Sequence, residues 1–192
     1  MKITKLFAVV VGVALLAAAG SVLAQKASVS MRLSGPGAVN DSTIKAGEPV
    51  DLDIYCGNDK DRTGFSLGFA NKSPNIKTIT HVADSGNGLN PTGNVKGHNA
   101  WEGKVVFDFD IGANEIDWDG KLPDLIGTWG LCIKRVLPPM EPTKAFSIRV
   151  IVPDTGTLTV DSSYFPPAGS FLYAPPAKVP AWGGPYNFHV VK

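Results

Sequence analysis

The sequence predicts an all-β sandwich. Apolar and polar residues alternate at period 2 through most of the chain, helical periodicity is almost absent, and 21 Gly and 15 Pro supply turns between many short segments. Period-2 alternation sends successive side chains to opposite faces of a strand. Each such segment therefore has one apolar face that can close a dry layer against a second sheet.

The N-terminal segment is different in kind. Lys2 and Lys5 form a positive patch, and Leu6 to Ala19 is an apolar run shorter than a permanent helix needs to cross about 30 Å of hydrocarbon. Val22-Leu23-Ala24 places small residues where a signal peptidase cuts. Residues 1–24 are thus expected to be a cleaved signal peptide, with Gln25 as the mature N-terminus, no membrane span afterwards, and release into the periplasm or the medium. Residues 25–192 are expected to be one domain. Removing Lys2 and Lys5 takes 18 basic residues to 16, against 17 acidic ones. That near-neutral balance gives no electrostatic basis for binding nucleic acid or an anionic membrane.

The strands follow in order. Val29, Met31 and Leu33 alternate with polar neighbours until Gly35-Pro36-Gly37 ends the run. Val50 to Cys56 is the cleanest strand, with Val50, Leu52, Ile54 and Cys56 on one face and Asp51 and Asp53 on the other. Phe65, Leu67 and Phe69 mark a second, and Ile76 to Val82 a weaker one. Val105 to Ile111, a short piece around Ile116 and Trp118, and Trp129 to Val136 come next. Phe146 to Val152 is joined to Leu158 to Val160 through Pro153-Asp154-Thr155-Gly156, which predicts a hairpin. Phe171 to Tyr173 and Phe188 to Val191 add two more. About eight to ten short strands result, with long polar or Pro/Gly-rich loops at residues 84–100 and 164–185.

Ala46-Gly47-Glu48-Pro49-Val50-Asp51-Leu52-Asp53-Ile54-Tyr55 resembles the opening of cohesin-like modules, in which a Gly-containing turn leads into an alternating strand. Phe146 to Val152, Gly156 to Asp161 and Pro167 to Tyr173 are similar to the closing strands of that group. The resemblance covers much of residues 45–173. It implies a jelly-roll-like antiparallel β-sandwich of about nine strands, of the kind shared by cohesins and carbohydrate-binding modules. It transfers no individual contact residue.

Candidate chemistry is sparse. Glu115, Asp117 and Asp119 alternate along one strand face and resemble the E-x-D-x-E strand of jelly-roll retaining glycosidases. Retaining hydrolysis needs its carboxyl groups about 5–5.5 Å apart, whereas Cα atoms four positions apart on a strand are about 13 Å apart and Asp119 is too short to close the gap. A solvated acidic face is the expected reading. Asp59 to Gly64 resembles the first half of a calcium loop, but Ala70 stands where the bidentate Glu belongs and Lys60 and Arg62 weaken the field. A turn between strands is expected, with no cofactor and calcium only as a weak alternative. His81, His98 and His189 have no metal-ligand spacing and no nucleophile motif nearby.

Trp118 and Trp129 have core parity, while Trp101 and Trp182 lie near loops. Trp101 and Trp182, with Asp117 and Asp119, are the candidate binding residues. The two cysteines, Cys56 and Cys132, are expected to pair in an oxidising compartment, a bridge worth about 3–4 kcal/mol in the chain-entropy model. Cys132 lies opposite the apolar parity of Trp129, Leu131 and Ile133, so either a bulge corrects it or the thiols stay separate. Asn40-Asp41-Ser42 and Asn71-Lys72-Ser73 are glycosylation sequons, meaningful in a host with that machinery.

The function these features predict is a non-catalytic extracellular recognition module, binding a protein or polysaccharide partner at the cell surface or matrix. Two alternatives come from other classes. One is a structural subunit that self-associates by edge pairing or by exchange of the terminal strand. The other is a small glycosidase.

Overall fold

The computed structural model describes residues 26–76, 79–82, 94–95, 106–108, 126–131, 138–163 and 171–192. The signal segment 1–24 lies outside the described residues. So do most of the loop 84–100, the piece around Ile116 and Trp118, and the far ends of the Val105 and Trp129 segments.

Among the described residues there are fourteen strands and no helix. They are β1 (Ser28–Ser34), β2 (Ala38–Asn40), β3 (Thr43–Lys45), β4 (Pro49–Asn58), β5 (Gly64–Asn71), β6 (Thr80–His81) and β7 (Asn94–Val95). Then follow β8 (Val106–Asp108), β9 (Ile126–Leu131), β10 (Met140–Ile151), β11 (Gly156–Ser163), β12 (Leu172–Ala174), β13 (Ala181–Trp182) and β14 (Tyr186–Val191). They form two sheets. The first runs β13-β1-β4-β10-β6; the second runs β2-β3-β14-β11-β5-β9-β8-β7, with β12 also on β5.

The interior is the layer the alternation predicts. Val29, Met31 and Leu33 of β1, Val50, Leu52, Ile54 and Cys56 of β4, and Phe146, Ile148 and Val150 of β10 are all buried. Ile44, Phe65, Leu67, Phe69, Leu158, Val160, Tyr173, Phe188 and Val190 are buried from the second sheet. Register aligns these side chains into rows: Leu33–Leu52–Ile148 and Met31–Ile54–Phe146. Each buried aliphatic or aromatic side chain contributes about 1.5–3 kcal/mol of transfer free energy.

The structure corrects the sequence reading in several places. The sandwich is not purely antiparallel: β1 pairs β13 in parallel, and β14 pairs β3 in parallel. The predicted hairpin at Pro153 to Gly156 is an arch between sheets, because β10 pairs β4 and β6 while β11 pairs β14 and β5. Val152 is buried beneath that arch, and its carbonyl accepts the Gly47 N–H at 2.9 Å. Local turn chemistry permits a hairpin; long-range partners on both strands override it. The chain also changes sheets between β1 and β2. Gly35 has φ 85°, and a Cβ on Gly37 would stand 2.8 Å from the Glu48 carbonyl oxygen, so only glycine lets the two backbones pass this closely.

The terminal strand is not a loose donor. β14 lies between β3 and β11 in its own sheet, with Phe188 and Val190 in the core. The sequence reading missed β2, β3, β7 and β13, each only two or three residues long.

The second face of β4 is not wet either. Asp51 and Asp53 are 5% and 4% exposed. Register sets Ser34–Asp51–Arg149 and Arg32–Asp53–Ser147 in two rows across β1, β4 and β10. Arg149 grips Asp51 in a bidentate pair, Nε to Oδ1 at 2.7 Å and Nη2 to Oδ2 at 2.8 Å. Asp53 Oδ1 accepts the Ser147 hydroxyl at 2.6 Å and pairs with Lys144 Nζ at 2.8 Å. The two cations are themselves largely buried, each side chain 22% exposed.

Arg149→Ala leaves the Asp51 carboxylate buried without its fork, and is expected to destabilise the fold by about 3 kcal/mol or more in urea unfolding. The double change Asp51→Val with Arg149→Leu is expected to recover most of that loss. A double variant whose loss equals the sum of the losses of Asp51→Val and Arg149→Leu alone would show that the pair is not coupled.

Candidate functional site

At one end of the sandwich the start of β1, the end of β4 and the segment around β12 and β13 converge. Asp59 to Thr63 is the turn that carries the chain from β4 to β5, as expected, and Asp59 is committed within it. Arg62 Nη2 donates to Asp59 Oδ1 at 2.7 Å, and Nη1 donates to the Pro176 carbonyl. Arg62 is only 1% exposed, and among the described residues its Nε has no acceptor. Thr63 N–H donates to the Ala174 carbonyl at 3.0 Å. One buried guanidinium and one backbone bond therefore tie this turn to the Pro175-Pro176 loop.

That loop is a small closed unit. Tyr173 and Lys178 exchange both backbone hydrogen bonds at 2.8 Å, and the chain continues to Ala181, whose N–H donates to the Ala27 carbonyl at 2.9 Å. The result is a cleft of about 420 Å³ lined by Lys26, Ala27, Asp59, Lys178, Val179, Pro180 and Ala181. Its lining combines apolar groups with two cations. Lys26 and Lys178 are exposed, and among the described residues neither is in an ion pair. Val179, 69% exposed, presents its side chain to solvent at the rim. Arg62 already neutralises Asp59, so the cleft region has a net positive character.

Two polar side chains, Tyr173 and Cys56, are buried at this end of the sandwich. Tyr173 is hydrogen-bonded to Cys56, donates its hydroxyl to the Ser28 carbonyl at 3.1 Å, and meets Phe65 edge-on at 6.3 Å. Burial pushes the Cys56 thiol up to about 12, only partly opposed by the Tyr173 hydrogen bond. Burial, with the Cys56 thiol beside it, also holds the Tyr173 hydroxyl well above its ordinary value. At Asp59 burial acts upward as well, but the hydrogen bond and charge of Arg62 outweigh it and keep the carboxyl below its usual range. A thiol in that state is a poor nucleophile, since the thiolate is the reactive form.

The expected site residues are not gathered here. Trp101, Asp117, Asp119, Glu115 and Cys132 lie outside the described residues. Among the described residues Cys56 is a free, buried thiol. Trp182 is half-buried rather than an open platform. Its ring contacts Phe69, Phe171 and Tyr186 at centroid distances of 5.7, 5.6 and 5.2 Å, and its Nε1 donates to Asp161 at 2.8 Å. A Cβ on Gly184 would stand 2.7 Å from the indole, so backbone covers part of the ring. Of the histidines, His81 lies in β6, His189 is exposed on β14, and His98 lies outside the described residues.

Sequence reasoning missed Arg62, Lys26 and Lys178. The Asp59/Arg62 spacing hinted at a self-satisfied polar turn, but nothing local says that Arg62 reaches a carbonyl 114 residues away.

No family model matches the chain, and no curated protein matches it. Among solved structures, the fold is similar to that in a type I cohesin–dockerin complex from Clostridium thermocellum, with a TM-score of 0.51 and 10% identity. That likeness covers 85% of this chain and 99% of the other. It is also similar to that in a type II cohesin–X-dockerin complex from Acetivibrio cellulolyticus, with a TM-score of 0.52 and 8% identity, covering 86% and 100%. At such identities the likeness is one of fold: the chain is a cohesin-like β-sandwich.

In the native state Cys56 is expected to resist iodoacetamide at neutral pH and to react only after unfolding; rapid native alkylation would contradict the buried thiol. Because the folded Asp59 value lies below the unfolded one, its stabilisation is present at neutral pH and lost as pH falls through the carboxylate range. Asp59→Asn is therefore expected to flatten the acid limb of a stability–pH profile.

Proposed function

We propose that the processed chain is a non-catalytic, extracellular recognition module whose partner is a protein. The fold is the observation that carries this reading: the two neighbours above are cohesins in complex with dockerins. The N-terminal leader pattern supports the extracellular part. The chemistry of the described residues supports the non-catalytic part. The Asp51 and Asp53 carboxylates are each held by a cation, and the Cys56 thiol is buried with its value raised.

Recognition would use a scaffold that moves little. The cleft between Lys26 and Lys178 offers an electrostatic handle with an apolar rim. A partner segment bearing carboxylates complements it: acidic groups face the two lysines, and small apolar groups face Val179, Pro180 and Ala181. Arg62 would contribute by holding the Pro175-Pro176 loop, and hence the Lys178 wall, in place.

The test uses the purified chain immobilised against the secreted proteins of its source. Any captured protein is identified, purified and titrated against the chain by calorimetry. A stoichiometric protein complex is expected, with Lys26→Glu/Lys178→Glu slowing association about tenfold or more at low salt. A chain that binds only glycans on an array, or that turns over a glycoside substrate, overturns the reading.

A further inference from the structure

The two Asn-x-Ser sequons have the same local turn but opposite availability. At each, the asparagine carboxamide oxygen accepts the backbone N–H of the following serine at 2.9 Å and the hydroxyl of that same serine. The difference lies in the carboxamide nitrogen. Asn71 Nδ2 donates to the Ile76 carbonyl at 3.2 Å. Ser73 is 6% exposed, and its Oγ accepts the Thr159 N–H at 2.8 Å, so this sequon is stitched onto β11. Modifying Asn71 would break that stitch.

Asn40, Asp41 and Ser42 form the exposed tip of the β2–β3 hairpin. Among the described residues the Asn40 Nδ2 donates to nothing. Its hairpin is nevertheless ordered: Asn40 pairs with Thr43, and the Ser42 carbonyl accepts the His189 N–H at 2.8 Å. The folded domain thus offers one sequon with a free, outward amide and withholds the other.

We propose that Asn40 is an acceptor for an asparagine-linked glycan and that Asn71 is not. The glycosyl donor is a lipid-linked oligosaccharide diphosphate, used by an oligosaccharyltransferase. Nδ2 of Asn40 forms a bond to the anomeric carbon, the carbon–oxygen bond to the diphosphate breaks, and the lipid diphosphate leaves with the bonding electrons. The amide proton passes to a base on the transferase, and nothing is oxidised or reduced. A glycan here stands at the end of β2, the edge strand of the nine-stranded sheet, where Val39 is 57% exposed. A bulky polar group at that edge blocks pairing with another sheet edge. In the cell the modification rests on the export part of the proposed function.

The test separates the two. The purified, folded full chain is incubated with a solubilised oligosaccharyltransferase that accepts Asn-x-Ser and its lipid-linked donor, then mapped by peptide mass spectrometry. A single glycan on the Asn40 peptide is expected, with the Asn71 peptide bare. Asn40→Gln and Ser42→Ala are expected to abolish it, with circular dichroism unchanged, and Asn71→Gln to leave Asn40 occupancy the same. A bare Asn40, or a glycan on Asn71 of the folded chain, overturns the proposal. Export is read independently, from the N-terminus of the secreted chain, so a failure of processing does not pass for a failure of glycosylation.

Discussion

Asp51 and Asp53 sit on the central strand of the five-stranded sheet, and their burial constrains everything built around them. A strand can be central only if both its neighbours are present and both its faces are satisfied. The apolar face of β4 meets that demand by packing into the sandwich. The acidic face meets it only if cations arrive from β10 in one register, which Arg149 and Lys144 do. A slip of one residue would bury the cations in the core and expose Phe146 and Ile148, so the ion pairs and the apolar rows specify the same alignment. The polar contacts add selectivity for that register; most of the free energy comes from the dry layer.

Because β4 is locked between β1 and β10, the chain must leave the first sheet each time it exits one of these strands. It does so after β1, after β4 and after β10, and each exit uses different local chemistry. Glycine-only backbone approach serves the first, a polar turn closed by Asp59 and Arg62 the second, and an arch over Val152 the third. These crossings place sequence neighbours in opposite sheets and bring distant segments together. Closing such long-range pairs carries an entropic cost that the shared core must offset.

The cleft is a by-product of the second crossing. Arg62 has to enter the interior to close its turn, and a buried guanidinium requires acceptors. It finds one in its own turn and one in the Pro175-Pro176 loop, and in fixing that loop it raises the wall that carries Lys178 and Val179 opposite Lys26. A structural requirement of the scaffold thereby shapes a positively charged surface feature. The thiol and phenol at the same end of the sandwich stay in their neutral forms, and the region offers shape and charge rather than a reactive group.

Alternation alone determined that this chain is a sandwich of short strands, and which residues of β1, β4, β5, β10, β11 and β14 face inward. Side-chain period is a local property of extended backbone, and burial of one face follows from it directly. Short strands such as β2, β3 and β13 carry no readable period in two or three residues; they exist because neighbouring strands present edges to pair with. Whether Pro153 to Gly156 makes a hairpin or an arch, whether Asp51 and Asp53 meet water or Arg149 and Lys144, and whether Trp182 stands free or packs against Phe69 and Gly184 were decided only in three dimensions. Each depends on partners far away in the chain, and a period-2 pattern carries no information about which strand will lie alongside.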